Sequence, residues 1–283
     1  RDYLELHGLS VQLTEALARA VSAVIAVELD ERYYNASGHV FLGVAHASLG
    51  QSMGGQPETG RAHFEKALAL TERRATLVHV NYAESYAVQT QNRDLFTSLL
   101  EEVLAAVRGE ATQVVLDAKR GDIGSTMAGY ADAYLREGAP LACDALTVSP
   151  YLGVGALGPA VRAAEAAGRG LFVLALTSNP EGAGVQHAVG PEGESVAGAV
   201  VRQVAAHNAR ALEAAPAPLG PFGLVVGATV GDAVGSLGID LAAVRGPILA
   251  PGVGAQGAGP AELADVFGEA RRAVVASVSR SVL

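Results

Sequence analysis

The sequence predicts an α/β fold of the (β/α)8-barrel type, incomplete at its start and preceded by an all-α segment. From residue 113 onward, apolar runs of strand length alternate with Ala-rich helical stretches, which is typical of βα units around a parallel sheet. Before residue 109, apolar residues instead recur at helical spacing. We therefore expect two domains, a helical segment over residues 1–108 and a partial barrel over residues 109–283.

The first domain is predicted to consist of paired helices. The apolar positions that repeat with helical spacing are Leu13, Ala16, Leu17, Ala20, Phe64, Ala67, Leu68, Leu99, Leu100, Val103 and Leu104. Turn-forming residues at 50–57 and 91–93 separate the helices. Residues 41–50 and 61–70 resemble a tetratricopeptide-type helix hairpin, and residues 76–107 a second, weaker one. Such hairpins stack to bury a shared face and offer a groove to partner proteins, although arrays normally need three of them.

The second domain is predicted to contain six parallel strands. We expect them near residues 113–117, 142–148, 171–176, 222–228, 247–250 and 273–278. A closed barrel of this type has eight strands. Because the deficit falls on the N-terminal side, these six correspond to strands 3–8.

Composition narrows the classes of function. The net charge of −9 argues against a nucleic-acid groove, which needs a basic surface. No apolar run is long enough to cross a membrane, and residues 1–5 lack the pattern of a secretory leader. With Cys143 as the one cysteine, a reducing compartment and a cytoplasmic protein are expected. The seven histidines show no metal-ligand spacing, so no metal site is expected.

A charged cluster follows the first predicted strand. Asp117, Lys119 and Asp122 come directly after an apolar run and before a small-residue entry into a helix. On an extended backbone Asp117 and Lys119 point to the same face. In a β/α fold the carboxyl end of a strand is where active sites are built. The cluster is compatible with a reactive site, but on spacing alone a solvated strand-to-helix loop is the favoured interpretation.

A glycine-rich loop follows the fifth predicted strand. Gly252, Gly254 and Gly257 allow the backbone to approach an anion and direct N–H groups toward it. In (β/α)8 barrels the loops after strands 7 and 8 frequently hold phosphate, and Arg280 would supply a bidentate guanidinium. The pattern favours phosphate binding over a plain glycine-rich turn followed by a C-terminal arginine.

Several ordered motifs carry a family resemblance. The run Asp-Ala-Lys-Arg-Gly-Asp-Ile-Gly at 117–124 closely resembles the signature of the orotidine 5′-phosphate decarboxylase family. The similarity continues through residues 147–153, 177–182, 225–229 and 250–257, and it covers about residues 111–283. It implies a TIM barrel and a carbon–carbon lyase. The implied reaction converts orotidine 5′-phosphate to uridine 5′-phosphate and CO2 in pyrimidine synthesis, without a metal or organic cofactor.

The same resemblance implies roles for individual residues. Asp117, Lys119 and Asp122 would surround the reacting carbon, with Lys119 delivering the proton that replaces CO2. Asp122, Ile123 and Thr126 would act across a homodimer interface and complete the partner's site.

Three further residues are implied to hold the nucleotide. Ser178 would hydrogen-bond the pyrimidine edge. Gln256 and Arg280 would contact the phosphate.

The N-terminal segment resembles a different family. Residues 36–43 and 82–96 are similar to the helical T component associated with TRAP-type transporters, and the likeness covers about residues 20–107. The resemblance implies a helical bundle without chemistry of its own.

The chain departs from the decarboxylase pattern at its start. The family's first strand carries an Asp for the ribose and its second a Lys that completes the charged network, and neither is recognisable. The sequence has two lysines, Lys119 and Lys66, and Lys66 lies in the helical segment. We therefore hypothesise a fusion joined near residues 108–112. The alternatives to an active decarboxylase are a non-enzymatic helical interaction module and a barrel that only binds phosphate or nucleotide.

Overall fold

The computed structural model describes residues 21–48, 55–107, 112–254 and 257–278. The chain divides into two compact units, Arg1–Thr112 and Gln113–Leu283.

The first unit is helical throughout its described residues, as predicted. Residues 21–29 are helical. The helices that follow are α1 (Tyr33–Ala47), α2 (Pro57–Leu70), α3 (Thr76–Tyr82), a π-helical turn (Ala83–Ala87) and α4 (Arg93–Val107). Their shared core contains Phe64, Leu68, Tyr82 and Leu99, all at most 1% exposed. Phe64 and Leu68 are four apart on one face of α2, which explains why the helical spacing in the sequence was informative.

A histidine cluster joins α1 to α2. His39 is 5% exposed, and its Nδ1 lies 2.8 Å from Nδ1 of His63. His46 stacks on His63 with ring centroids 5.9 Å apart and planes at 4°. Glu31 faces His39 from the other side, with 3.7 Å between its Oε1 and the His39 Nε2, and it forms an ion pair with Lys66. Burial is the main cause that lowers the pKa of both His39 and His63.

The second unit is built on one parallel sheet. Its strands are β1 (Val115–Arg120), β2 (Ala145–Val148), β3 (Gly170–Leu176), β4 (Phe222–Val226), β5 (Ile248–Pro251) and β6 (Val274–Ser277). They lie side by side in chain order, each parallel to the next. Among the described residues β1 and β6 form the two edges, so the prediction of six strands of an incomplete (β/α)8 barrel is confirmed.

Helices connect the strands on one side of the sheet. The α-helices of this unit are α5 (Gly124–Tyr134), α6 (Gly158–Ala167), α7 (Ala183–Gln186), α8 (Val196–Ala214), α9 (Ala233–Ser236) and α10 (Pro260–Phe267). Short 3₁₀ turns lie at Val154–Leu157, Pro180–Gly182, Ala242–Val244 and Gly268–Ala273.

The two faces of the sheet bury different side chains. Leu146, Leu171 and Leu224 belong to the large core shared with the helices, whereas Phe172 and Val225 belong to a smaller cluster on the opposite face. This alternation follows from the two-residue period of a strand. Thr147 lies between Leu146 and Val148 and is therefore on the same face as the smaller cluster.

Asn208 on α8 fixes the helix to the sheet. The side chain is 0% exposed, and its Nδ2 donates to the carbonyl oxygens of Phe222 at 2.6 Å and Val244 at 2.8 Å. Its Oδ1 accepts the Phe222 N–H at 3.0 Å. One amide thus satisfies two backbone groups at the start of β4 and one in the 3₁₀ turn that ends at Val244.

Candidate active site

An irregular pairing at the end of β1 creates the site. Leu116 pairs with Leu146 and Arg120 with Val148, so four residue steps on β1 span two on β2. The intervening residues of β1 all lie opposite Thr147. A bulge of this kind bends the strand and redirects side chains, and bulges are common next to active sites.

The bulge brings Asp117 and Lys119 into contact. Lys119 Nζ lies 2.5 Å from Asp117 Oδ2. The backbone of Lys119 has φ +46°, a left-handed conformation that costs a non-glycine residue about 1 to 3 kcal/mol. Such strain persists where the surrounding structure fixes it, and it clusters at functional sites. The predicted strand ended near residue 117, but β1 extends three residues further and includes Lys119.

Thr147 links this pair to the sheet, and sequence reasoning did not identify it. Its Oγ1 donates to Asp117 Oδ1 at 2.9 Å and accepts the Lys119 N–H at 2.9 Å. Thr147 is 0% exposed, whereas the side chains of Asp117 and Lys119 are 58% and 51% exposed. Threonine is common in β-strands because its side chain is β-branched, so its presence in this apolar run does not indicate a contact with the site.

Asp122 is held apart from the ion pair. Its Oδ1 accepts the Ile123 N–H at 2.7 Å, and within the described part of the chain it makes no ion pair with Lys119. Ile123 is 62% exposed, and Thr126, in the first turn of α5, is exposed as well. Ile123 and Thr126 therefore present their side chains to solvent or to another molecule, whereas Asp122 is half-buried.

Ser178 lies in the loop after β3. The loop is shaped by Thr177, whose Oγ1 donates to Asn179 at 2.7 Å and accepts from Gln186 at 2.7 Å. Ser178 is exposed, and its backbone approaches Gly227 at the end of β4 so closely that a Cβ there would lie 3.2 Å from the Ser178 nitrogen.

The glycine-rich loop after β5 uses the left-handed backbone that only glycine adopts freely. Gly252, Gly254 and Gly257 have φ of +101°, +79° and +101°. The Gly254 N–H donates to the carbonyl of Ala258 at 2.9 Å, and the Gly257 N–H to the carbonyl of Gly254 at 2.8 Å. An anion bound here would compete with these bonds. Gln256 and Arg280 lie outside the described residues.

The parallel topology collects these groups at one end of the sheet. The Asp117–Lys119 pair lies on β1, the Ser178 loop follows β3 and the glycine-rich loop follows β5, and the carboxyl ends of parallel strands lie at the same end of the sheet. The glycine-rich loop and the ammonium of Lys119 are both groups that favour a negatively charged ligand at this end of the sheet. The Asp117 carboxylate, which lies beside that ammonium, repels a negatively charged group of a bound ligand.

Two properties of the described residues concern other kinds of site. No group of three or more His, Cys, Asp or Glu side chains among them is arranged to hold a metal ion. No helix within the same ranges combines the length and the apolar character needed to cross a bilayer.

Comparison with protein families gives two matches along the chain. The profile of the orotidine 5′-phosphate decarboxylase / HUMPS family matches residues 67–283. The profile of the TRAP transporter T-component matches residues 3–116. The two matches overlap between residues 67 and 116.

Individual relatives agree with the first match. The chain is 57% identical over 187 residues to the orotidine 5′-phosphate decarboxylase of Streptomyces coelicolor, covering 66% of this chain and 64% of the relative. It is 55% identical over 186 residues to the enzyme of the same name from Salinispora arenicola, covering 66% and 64%. The chain thus spans less than two thirds of the length of these relatives.

A solved structure matches as well. A Streptomyces avermitilis protein assigned as orotidine 5′-phosphate decarboxylase aligns with a TM-score of 0.64 and 49% identity. The alignment covers 77% of this chain and 75% of that one.

Proposed function

The chain belongs to the orotidine 5′-phosphate decarboxylase / HUMPS family, and we propose that its second unit decarboxylates orotidine 5′-phosphate to uridine 5′-phosphate. The observation that carries the proposal is the Asp117–Lys119 pair on the β1 bulge. Its geometry suits a reaction in which a carboxylate leaves and a proton takes its place.

The proposed chemistry uses this pair in one step. The substrate carboxylate would lie beside the Asp117 carboxylate, and repulsion between the two anions raises the free energy of the bound ground state. As the carbon–carbon bond breaks, CO2 departs and the electron pair stays on the pyrimidine carbon. The Lys119 ammonium stabilises that developing charge and then donates its proton to the same carbon. Water returns a proton to the neutral Lys119 amine.

The other predicted residues take binding roles in this proposal. Ser178 hydrogen-bonds the pyrimidine edge, and the glycine-rich loop with Gln256 and Arg280 holds the phosphate. Asp122, Ile123 and Thr126 serve the site of a second subunit, a role supported by the exposure of Ile123 and Thr126. The active form is therefore a homodimer, and we place it in the cytoplasm.

The first test of this proposal is loss of the orotate chromophore from orotidine 5′-phosphate. Turnover by the full chain, reduced at least a thousandfold in Lys119→Ala, is expected because the proton donor and the main positive charge are removed. Lys66→Arg is the matched control, since it changes the sequence's other lysine and keeps the charge that pairs with Glu31. Turnover that survives in Lys119→Ala would refute the proposal.

A barrel that binds but does not react is the second candidate. It is favoured by the match over only 64% of the relatives' length. Calorimetric binding of uridine 5′-phosphate by a folded chain without turnover would establish it and would exclude the decarboxylase proposal for this chain.

The helical unit has its own candidate function. The match of residues 3–116 to the T-component profile supports a tetratricopeptide-like module that binds a partner protein. Deleting or mutating that unit would then change partner binding while Lys119→Ala leaves it intact. This module and the barrel unit would be the two parts of a fusion.

A further inference from the structure

We infer that Thr147 is a positioning residue of the site, in that its hydroxyl fixes both the Asp117 carboxylate and the backbone of Lys119. The inference rests on the proposed function for its catalytic consequence. The contacts themselves are independent of it.

The hydroxyl of Thr147 forms one hydrogen bond with each of the two groups. A hydroxyl has one proton to donate, and that proton is directed to Asp117 Oδ1. A lone pair of the same oxygen accepts the Lys119 N–H. Lys119 Nζ donates to the other carboxylate oxygen, Asp117 Oδ2. The three hydrogen bonds therefore form a ring that joins Lys119, Thr147 and Asp117.

An anchor of this kind is needed because the ion pair is exposed. More than half of each charged side chain is open to solvent, and an exposed ion pair alone holds its side chains only weakly. Thr147, in contrast, is completely buried on a central part of the sheet, between β1 and β3. The buried Thr147 hydroxyl therefore fixes the direction of the exposed groups of Asp117 and Lys119.

The left-handed backbone of Lys119 gives a second reason. A conformation at φ +46° persists only where neighbouring contacts hold it. The Lys119 N–H bond to Thr147 is a contact at that very peptide group. Loss of the hydroxyl would release both the strained backbone and the carboxylate.

The test compares Thr147→Ser with Thr147→Ala, which differ from each other only by the hydroxyl. In full-length protein we expect Thr147→Ser to retain turnover within about threefold. Thr147→Ala is expected to lose about a hundredfold in kcat with KM little changed, the scale of a misplaced reacting group. Thr147→Val, with the same shape as threonine, provides a third variant if loss of the methyl group prevents folding.

A second readout does not depend on turnover. Selective ¹⁵N-lysine labelling gives two backbone amide signals, because the sequence has two lysines, and Lys66→Arg assigns them. In Thr147→Ala the Lys119 amide is expected to exchange with solvent about tenfold faster than in Thr147→Ser, since its acceptor is gone. The Lys66 amide should be unchanged in both.

The outcomes separate the inference from the proposed function. Equal Lys119 amide exchange in the serine and alanine variants would overturn the inference, as would equal kcat of the two variants in a chain that turns over substrate. A Lys119 amide that responds as expected, in a wild-type chain that has no turnover, would support the anchoring by Thr147 and refute the decarboxylase proposal instead.

Discussion

At the scale of single residues, the site depends on backbone positions that only certain residues tolerate. Gly121, just after the bulge, packs against the backbone of Ser149, and a Cβ there would collide with the Ser149 carbonyl oxygen. The Ser149 N–H in turn donates to the carbonyl of Arg120 at 2.8 Å. This contact closes the end of β1 against β2, directly after Lys119.

We therefore predict that Gly121→Ala disturbs the site. The new Cβ must push β1 and β2 apart, because the obstructing atom is backbone and cannot rotate away. We expect a loss of about 1 to 3 kcal/mol in unfolding free energy, typical of overpacking, and reduced turnover. Chemical denaturation and the decarboxylation assay measure the two effects.

Gly129→Ala is the matched control for this change. Gly129 lies within α5, and a Cβ there would meet nothing within 4 Å. Alanine in a helix interior should stabilise the protein by about 0.5 to 1 kcal/mol. If both variants behaved alike, the close packing of Gly121 would not matter.

At the scale of elements, helix-to-sheet attachment depends on a few buried polar groups. Asn208→Ala would leave the N–H and the carbonyl oxygen of Phe222 and the carbonyl of Val244 without their partner. Unpaired buried groups and the cavity together should cost about 2 to 4 kcal/mol. Gln203→Ala on the same helix, which loses only a bond to Ala199 within the helix, should cost less than 1 kcal/mol in the same denaturation experiment.

The pairing of α1 with α2 should be sensitive to acid. The Nδ1–Nδ1 contact of His39 and His63 requires one nitrogen to donate and the other to accept, so it is lost when both rings are protonated. Burial holds the pKa of each ring below its ordinary 6.5, although Glu31 opposes this at His39. The unfolded chain therefore binds protons first, and stability is full above pH 6.5 and falls as the pH drops below it.

Hydrogen exchange at pH 7.5 and 5.0, corrected for intrinsic rates, measures this effect. Peptides from α1 and α2 should lose protection at the lower pH, whereas peptides from β3 should not. His63→Gln should flatten the dependence in α1. If the protection of α1 and α2 at pH 5.0 equalled their protection at pH 7.5, the histidine pair would not respond to acid.

The sequence predicted the elements better than the details of their contacts. Apolar runs located the strands, most clearly β2, β3 and β4, where burial on both faces of a parallel sheet leaves a continuous hydrophobic pattern. The Asp117–Lys119 contact was predicted from regular strand alternation, yet it arises from a bulge that no periodicity reveals. The π-helical turn at Ala83–Ala87 and the left-handed residues 34–36 were likewise invisible, since tertiary packing rather than local preference imposes them.

At the scale of the whole molecule, the chain joins a helical unit to six strands of a decarboxylase barrel. Family membership follows from the match over residues 67–283, but the relatives are longer than the part that this chain matches. The Asp117–Lys119 pair lies on β1, which is an edge strand of the described sheet. The site therefore depends on what lies beside that strand. Activity of the full chain is therefore the decisive measurement.

The bulge in β1 also affects how the molecule meets copies of itself. A flat edge strand with a regular ladder of N–H and C=O groups is a template for aggregation. In β1 the regular pairing with β2 is interrupted after Leu116, and the strand ends with two cations, Lys119 and Arg120. A second β1 laid alongside would meet an irregular backbone and exposed charged side chains, so the distortion that shapes the site also discourages edge-to-edge self-association.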